Sequence, residues 1–326
     1  MKAAIKILRI LKSNEDNFVS GQELGNKFKI SRTAIWKSVQ RLRAKGYKIR
    51  AGKKKGYRLI NVPDFLLPAE IQYGLKTKFI GRDMRYFTAT DSTNEQAKKF
   101  ASRGAVEGMV LIAEKQTRGK GRLGRPWVSP AGGIWMSVIL RPDFAPRQAP
   151  MMTMVASLAV AEAIKEVTGL EAKIKWPNDV MIEINKNGVM RKVCGILTEM
   201  GAEVDRIHYL VVGIGINVNN QLPKELSRTA CSLDELAGKV PRTLLARKVL
   251  EKLEYYYSLL LGKGAEVIMK EGRRLSAVLG RTIKVATAEG LITGKAIDID
   301  NKGTLILRLK NKTKKEILAG EVTLHL

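Results

Sequence analysis

The most chemically loaded stretch of the chain is Gln116-Thr117-Arg118-Gly119-Lys120-Gly121-Arg122-Leu123-Gly124-Arg125-Pro126-Trp127, where four cations alternate with three glycines. Glycines let a backbone close around a ligand, and the cations suit phosphate or carboxylate charge. No Gly-Lys-Ser/Thr follows at the spacing of a Walker loop. Self-repulsion predicts a loose loop that an arriving anion orders; a mobile basic surface loop is the plainer alternative. In Asp91-Ser92-Thr93-Asn94-Glu95, Ser92 and Glu95 read as a capping box. Thr93 and Asn94 then sit at a helix N-terminus, where free N–H groups favour polar or anionic ligands, although caps alone are commonplace. In Lys173-Ile174-Lys175-Trp176-Pro177-Asn178-Asp179 a lysine on a partly buried strand needs an anionic partner. Lys192 opens the otherwise apolar Val193–Leu197, as a solvated strand end or as an ammonium aimed into a pocket. Gly213-Ile214-Gly215-Ile216-Asn217 places glycines in a strand, which suggests close approach of a ligand or backbone. As a dinucleotide fingerprint it fails, since no helix follows and the third glycine is missing.

Composition narrows the chemistry. The only histidines are His208 and His325, and the only cysteines are Cys194 and Cys231. Structural zinc and a Ser-His-Asp triad therefore have almost no candidates, and no residue set reads as a metal site. Catalysis falls to lysine, arginine, carboxylate, amide or backbone groups. Two cysteines suit a reducing compartment, and no apolar run approaches the roughly 18 residues of a membrane span. The first residues read as an amphipathic helix interrupted by Lys6 and Arg9, not as a signal peptide. The expectation is a cytoplasmic protein without a membrane partner.

The elements that must hold these groups can be read from periodicity. Met109–Ala113, Ile134–Leu140 and Tyr209–Val218 read as strands, and Met151–Thr168 as a packed helix. Asn185-Lys186-Asn187-Gly188 suggests a hairpin turn before Val193–Leu197. Strands follow one another without regular helix alternation, which predicts an α+β domain on a largely antiparallel sheet.

Of the formal net charge of +27, a net +14 lies in residues 1–60, from 17 Lys/Arg against 3 Asp/Glu. That block carries three short helical patterns. Ala4, Ile7, Leu8 and Leu11 share one stripe, Ser20 and Glu23 make a capping-box start, and Ser31 caps a third helix. Ile35, Val39 and Leu42 face inward there, leaving Arg32, Thr33, Trp36, Lys37 and Gln40 outward. Gly46–Arg50 and Tyr57–Ile60 read as strands joined by a tip carrying Lys53, Lys54 and Lys55. This is a winged helix-turn-helix pattern: tip lysines against phosphates, outward helix residues reading sequence. A helical protein-docking module with a solvated basic face is the plainer alternative.

The five segments, in this order, resemble the bifunctional, repressor-bearing biotin–protein ligases, and the resemblance runs essentially end to end. It implies a central mixed α/β ligase domain, ATP and biotin as ligands with Mg²⁺, and two-step acyl transfer. Biotin's carboxylate attacks the α-phosphate of ATP, and a lysine of a biotin carboxyl carrier protein then displaces AMP. It implies that Ser92, Thr93, Asn94 and Gln116 contact biotin, with Lys120-Gly121-Arg122 closing over it and the adenylate. Lys192 approaches the biotin carboxylate, Lys175 offsets developing charge, and Asn217 meets the nucleotide. Asp179 positions metal or the incoming lysine; Arg122, Lys175 and Asp179 are thus the catalytic candidates. The family loop usually begins Gly-Arg-Gly-Arg, so Lys120 keeps the charge but loses the bidentate geometry.

Five short strand patterns after Ala277 predict a small SH3-like barrel, which the family also carries. The expected domains are a winged helix-turn-helix over 1–62, a ligase domain over 67–275 and the barrel over 276–326. Operator DNA and a homodimer formed when the adenylate is bound are further implied partners. A lipoate or octanoate ligase and a non-catalytic, ligand-sensing transcription factor remain the competing readings.

Overall fold

The computed structural model describes residues 2–14, 17–185 and 188–323. The middle of the expected Asn185–Gly188 turn and the last three residues of the expected final strand lie outside the described residues. The chain forms two compact units, Met1–Phe65 and Leu66–Leu326.

In the first unit, α1 (Lys2–Ser13), α2 (Gly21–Phe28) and α3 (Arg32–Ala44) precede a hairpin of β1 (Lys48–Gly52) and β2 (Gly56–Asn61). Ile7, Leu8, Leu11, Leu24, Ile35, Val39 and Leu42 are buried together, as the 3.6-residue stripes require. Ser31 Oγ accepts from Ala34 N at 3.2 Å and starts α3. Ser20 Oγ accepts instead from Gln22 N at 3.1 Å, so the expected capping contact is made one residue early.

The second unit opens with α4 (Pro68–Gln72), β3 (Met84–Phe87), α5 (Thr93–Ala101), β4 (Val110–Ala113) and β5 (Ile134–Leu140). Then come α6 (Pro150–Thr168), β6 (Ala172–Lys175), β7 (Asp179–Glu183), β8 (Met190–Ala202) and β9 (Ile207–Ile216). Helices α7 (Asp234–Ala237), α8 (Arg242–Lys263) and α9 (Ala265–Arg274) follow. The chain closes with β10 (Thr282–Thr287), β11 (Gly290–Ile299), β12 (Leu305–Arg308), β13 (Lys314–Ile317) and β14 (Glu321–Thr323).

Seven strands pair in the order β3-β4-β5-β9-β8-β7-β6, with only β3–β4 parallel. The expected, largely antiparallel sheet is present. Its two faces differ because side chains alternate along each strand. Ile134, Met136, Val138 and Leu140 of β5, with Leu210, Val212, Ile214 and Ile216 of β9, join α6 and α8 in the main core. The other face belongs to the chemistry. Across five strands, Lys175 pairs with Asp179, Asp179 with Gly195, Gly195 with Gly215, and Gly215 with Trp135. The next row runs Leu197–Gly213–Ser137.

Two glycines in these rows are needed for space. A Cβ on Gly213 would lie 2.2 Å from Asn94 Oδ1, and one on Gly215 would lie 2.5 Å from Trp127 Nε1. Strand β8 adds a bulge: Val180 pairs with Cys194 but Met181 pairs with Lys192, so Val193 is the extra residue. Were the same residues to continue in regular register, Lys192 would oppose Ile182 and point into the core. The bulge turns it to the cavity face.

The last five strands form one antiparallel sheet in the order β13-β12-β11-β10-β14. Among the described residues its edges β13 and β14 do not pair with each other, so the expected barrel is not closed by hydrogen bonds. The sheet still has to curl. Ile317 and Glu321 lie on opposite edges, and four residue steps reach at most about 14 Å. A flat sheet would separate those edges by about 19 Å. Ile283, Val285, Leu305, Leu307 and Val322 join the main core, which makes residues 66–326 one unit.

Two outcomes follow from this packing. Gly213→Ala will lose about 1–3 kcal/mol of stability in urea denaturation, the usual range for overpacking, because a buried carboxamide must move. Cys194 and Cys231 are both buried, and burial pushes both thiols up, Cys231 to about 12. An aromatic disulfide reagent at mildly alkaline pH will titrate neither thiol until the chain is unfolded. Rapid labelling of either native thiol would contradict its place in the core.

Candidate active site and nucleic-acid interface

Every ligand-site residue that the resemblance implies between Ser92 and Asn217 lines one cavity of about 750 Å³ on the glycine-bearing face of the seven-stranded sheet. Pockets of this size commonly take a ligand of small-molecule dimensions.

One wall is a chain of neutral polar groups. Thr93 N and Oγ1 donate to Gln116 Oε1 at 2.7 and 3.1 Å, and Gln116 Nε2 donates to Ser129 Oγ at 2.8 Å. Ser137 Oγ donates to Asn94 Oδ1 at 2.6 Å and lies 2.8 Å from Thr93 Oγ1. Ser92, Thr93 and Asn94 are all buried at the start of α5. Ser92 Oγ accepts from Glu95 N at 3.5 Å, but Ser92 N donates to Asp91 Oδ1, not to Glu95. The expected capping box is therefore only half formed. Hydrogen bonds from Gln96 and Ser92 N hold Asp91 down at about 2.

The opposite corner is ionic. Lys192 Nζ lies 2.6 Å from Asp179 Oδ1 and Lys175 Nζ 3.4 Å from Asp179 Oδ2. All three side chains are largely enclosed, and Lys192 Nζ also stands 4.8 Å above the Trp127 ring centroid. Trp127 Nε1 is buried and finds no hydrogen-bond partner among the described residues. Asn217 is buried at the end of β9, where its N donates to Val193 O and its Oδ1 accepts from Asn220 Nδ2 at 3.3 Å.

The glycine–cation loop lies across this corner. Arg122 Nη1 donates to Asn178 Oδ1 at 3.2 Å and to Gly320 O at 3.3 Å, so the last sheet supplies a carbonyl to the site. Burial pushes the Arg122 pKa down, and the Asp179 and Glu321 charges oppose that shift. The loop also pairs internally, with Gly121 N donating to Arg125 O at 2.7 Å and Trp127 N to Gly119 O at 2.9 Å. The repulsion expected to keep it loose is answered by the chain's own carboxylates. Arg125 pairs with Glu321, and Lys120 Nζ lies 2.7 Å from Glu95 Oε1. The Lys120 and Lys98 ammonium groups hold Glu95 below the usual carboxylate range. Lys120 thus lines the cavity while its ammonium reaches α5.

Several contributors escaped the sequence reading. Glu199 and Gly320 lie outside the marked segments, and Leu226, Thr229 and Ala230 add a wall beyond β9. Ser137 had one available signal, a lone hydroxyl inside Ile134–Leu140. Among the described residues no three of His, Cys, Asp and Glu gather to hold a metal ion. The cavity's carboxylates do not make a cage for a divalent cation. They fit one that arrives on nucleotide phosphates, as Mg²⁺ commonly does.

In the first unit, Arg32, Thr33, Trp36 and Lys37 are exposed on α3, and Trp36 is 52% exposed. Gln40 is more constrained. With its carboxamide oxygen turned inward it accepts from Trp36 Nε1 and Arg43 Nη1, each at 3.2 Å. Arg43 also donates to Ile49 O of β1 through Nη2 (2.7 Å) and Nε (3.1 Å), tying the hairpin to α3. Lys53, Lys54 and Lys55 are exposed at the hairpin tip.

Comparison with known proteins agrees with this division. Residues 86–217 match the biotin/lipoate A/B protein ligase family, 4–58 an HTH domain, and 278–324 the biotin protein ligase C-terminal domain. The chain is 38% identical over 323 residues to the bifunctional ligase/repressor BirA of Bacillus subtilis, covering 98% of this chain and 97% of that one. It is 28% identical to the protein of the same name from Escherichia coli K12, covering 98% and 97%. Among solved structures, the biotin protein ligase from Aquifex aeolicus in complex with biotin and ATP superposes with a TM-score of 0.64 at 32% identity. That match covers 74% of this chain and 98% of the other. Among the described residues no helix is long and apolar enough to cross a membrane. With a helix-turn-helix unit ahead of a cation-cornered cavity and near-complete alignment to such proteins, the chain belongs to the bifunctional biotin–protein ligase/repressor family.

Proposed function

We propose that the chain is an ATP-dependent biotin–protein ligase that forms biotinyl-5′-AMP, transfers biotin to a lysine of a biotin carboxyl carrier protein, and represses transcription in response to biotin. The observation that carries the enzymatic reading is the cavity corner where Lys175 and Lys192 share Asp179 under Arg122. Two ammonium groups on one carboxylate leave positive charge for a carboxylate–phosphate junction.

The residues divide the work. Thr93, Asn94, Gln116 and Ser137 offer donors and acceptors on a buried wall and would orient biotin's neutral head. Lys192 would hold its carboxylate oxygen for attack on the α-phosphate of ATP. Lys175 and Arg122 would stabilise charge as pyrophosphate departs, while the loop excludes water. Asn217 and the wall around Leu226 would face the nucleotide. Mg²⁺, when bound to the nucleotide, would neutralise phosphate charge. In the second step a neutral carrier amine attacks the mixed anhydride and AMP leaves; Asp179 would receive the approaching amine.

The three functional segments are 1–62 for DNA, 67–275 for the ligase and 276–326 for an SH3-like closure over the site. The outward side chains of α3 and the wing lysines would contact operator DNA. A homodimer forming with the adenylate would match a two-fold operator. The cytoplasm is the compartment such a protein would occupy.

Purified protein with biotin and MgATP will release pyrophosphate and label a carrier lysine. Equal use of lipoate or octanoate would favour the lipoate branch, and no turnover would favour a purely ligand-sensing repressor. Lys175→Ala will slow adenylation about 100-fold or more, the scale of one preorganised charge donor, with an unchanged melting temperature. Undiminished turnover would remove that role. Replacing Lys53, Lys54 and Lys55 together with alanine will lower the slope of log K for DNA against log salt by up to about 2.7, at about 0.9 for each phosphate no longer neutralised. An unaltered slope would take the wing off the DNA.

A further inference from the structure

We infer that Lys120 is a positioning residue, which latches the glycine–cation loop to α5 through Glu95, and that Glu199 and Lys98 extend this latch to the floor of the cavity. The inference rests on the ligase reading above and assigns three residues outside the marked motifs' ligand contacts. Its basis is one unbroken run of contacts. Lys120 Nζ lies 2.7 Å from Glu95 Oε1, and Lys98 Nζ lies 2.9 Å from the same oxygen. Lys98 Nζ is also 2.8 Å from Glu199 Oε1, and Glu199 Oε2 accepts from Asn94 Nδ2 at 2.8 Å. Asn94 is 4% exposed in the cavity wall and is fixed on its other side by Ser137.

The charges in this run alternate and cancel: two carboxylates, two ammonium groups. Glu95, Lys98 and Glu199 are each about one-quarter exposed, whereas Lys120 is 49% exposed. An isolated pair so exposed contributes little, but a network with three enclosed members orders its outer member. Lys120 is also bridged to Pro126 across the loop, and Gly121 N donates to Arg125 O. Holding Lys120 therefore holds both limbs of the loop, and with them Arg122 over Asn178. A carboxylate already satisfies the Lys120 ammonium, and a lysine lacks the fork for bidentate anion binding. Anion contact is left to Arg122, and a ligand that shifts Asn94 bears directly on Glu199 at the far end of the latch.

The test is a double-variant cycle on the full-length protein, with biotin and MgATP as ligands, read as the release rate of preformed biotinyl-adenylate in a chase with unlabelled biotin. Glu95→Gln and Lys120→Met are each expected to speed release about two- to fivefold, the scale of a partly exposed ion pair. The double variant should be no worse than either single one, and Lys120→Arg should restore the wild-type rate. The single-turnover adenylation rate at saturating biotin should fall far less than release rises, a split that loss of folding would not produce. Additive effects would mean that Lys120 touches the ligand itself, and an unaltered release rate in Glu95→Gln would remove the latch; either overturns the proposal. Failure of the wild-type protein to form any adenylate would instead defeat the ligase reading.

Discussion

The second unit is organised around one carboxylate that answers two ammonium groups. Burying Lys175 or Lys192 alone would be costly, because a desolvated cation without a partner loses its hydration for nothing. Asp179 removes that cost for both while leaving their sum positive. The arrangement needs three strands in register, a bulge that rotates one of them by a residue, and a face kept clear of bulk. Gly195 and Gly215 supply the clear face, and Trp127 fills part of it with an aromatic surface that can lie beneath an ammonium.

The same sheet separates stability from chemistry. Its aliphatic face, with α6 and α8, carries the main core, and its opposite face carries almost every polar group of the cavity. Residues can therefore alternate along β5 or β9 between packing and function without conflict. The final sheet joins the core through Ile283, Val285 and Leu307 while Gly320 and Glu321 reach the loop. A packing domain thus also supplies contacts to the cavity rim.

Much of this was legible in the sequence, and the reasons for the gaps are physical. Motif residues such as Lys175, Asp179 and Gly213 stand out because their types are wrong for a strand interior, and each lines the cavity. The α3 pattern and its Ser31 cap could be read because they are local. What could not be read was long-range pairing. The loop's cations were expected to repel one another, yet Glu95 lies 25 residues before Lys120 and Glu321 lies 196 after Arg125. The half-made cap at Ser92 has the same origin, since Glu95 is engaged by Lys120 and Lys98. Strand closure in the tail depends on curvature, which alternation alone does not encode.

The bulge at Val193 also bears on how such chains can diverge. Removing the extra residue would straighten the strand yet keep Lys192 opposite Met181, whereas ironing out the bulge with every residue kept would turn the ammonium toward Ile182. A sequence comparison would mark the first lineage as gapped and score the second as intact, although only the first keeps its ammonium in the cavity. In this stretch, register is under tighter constraint than length.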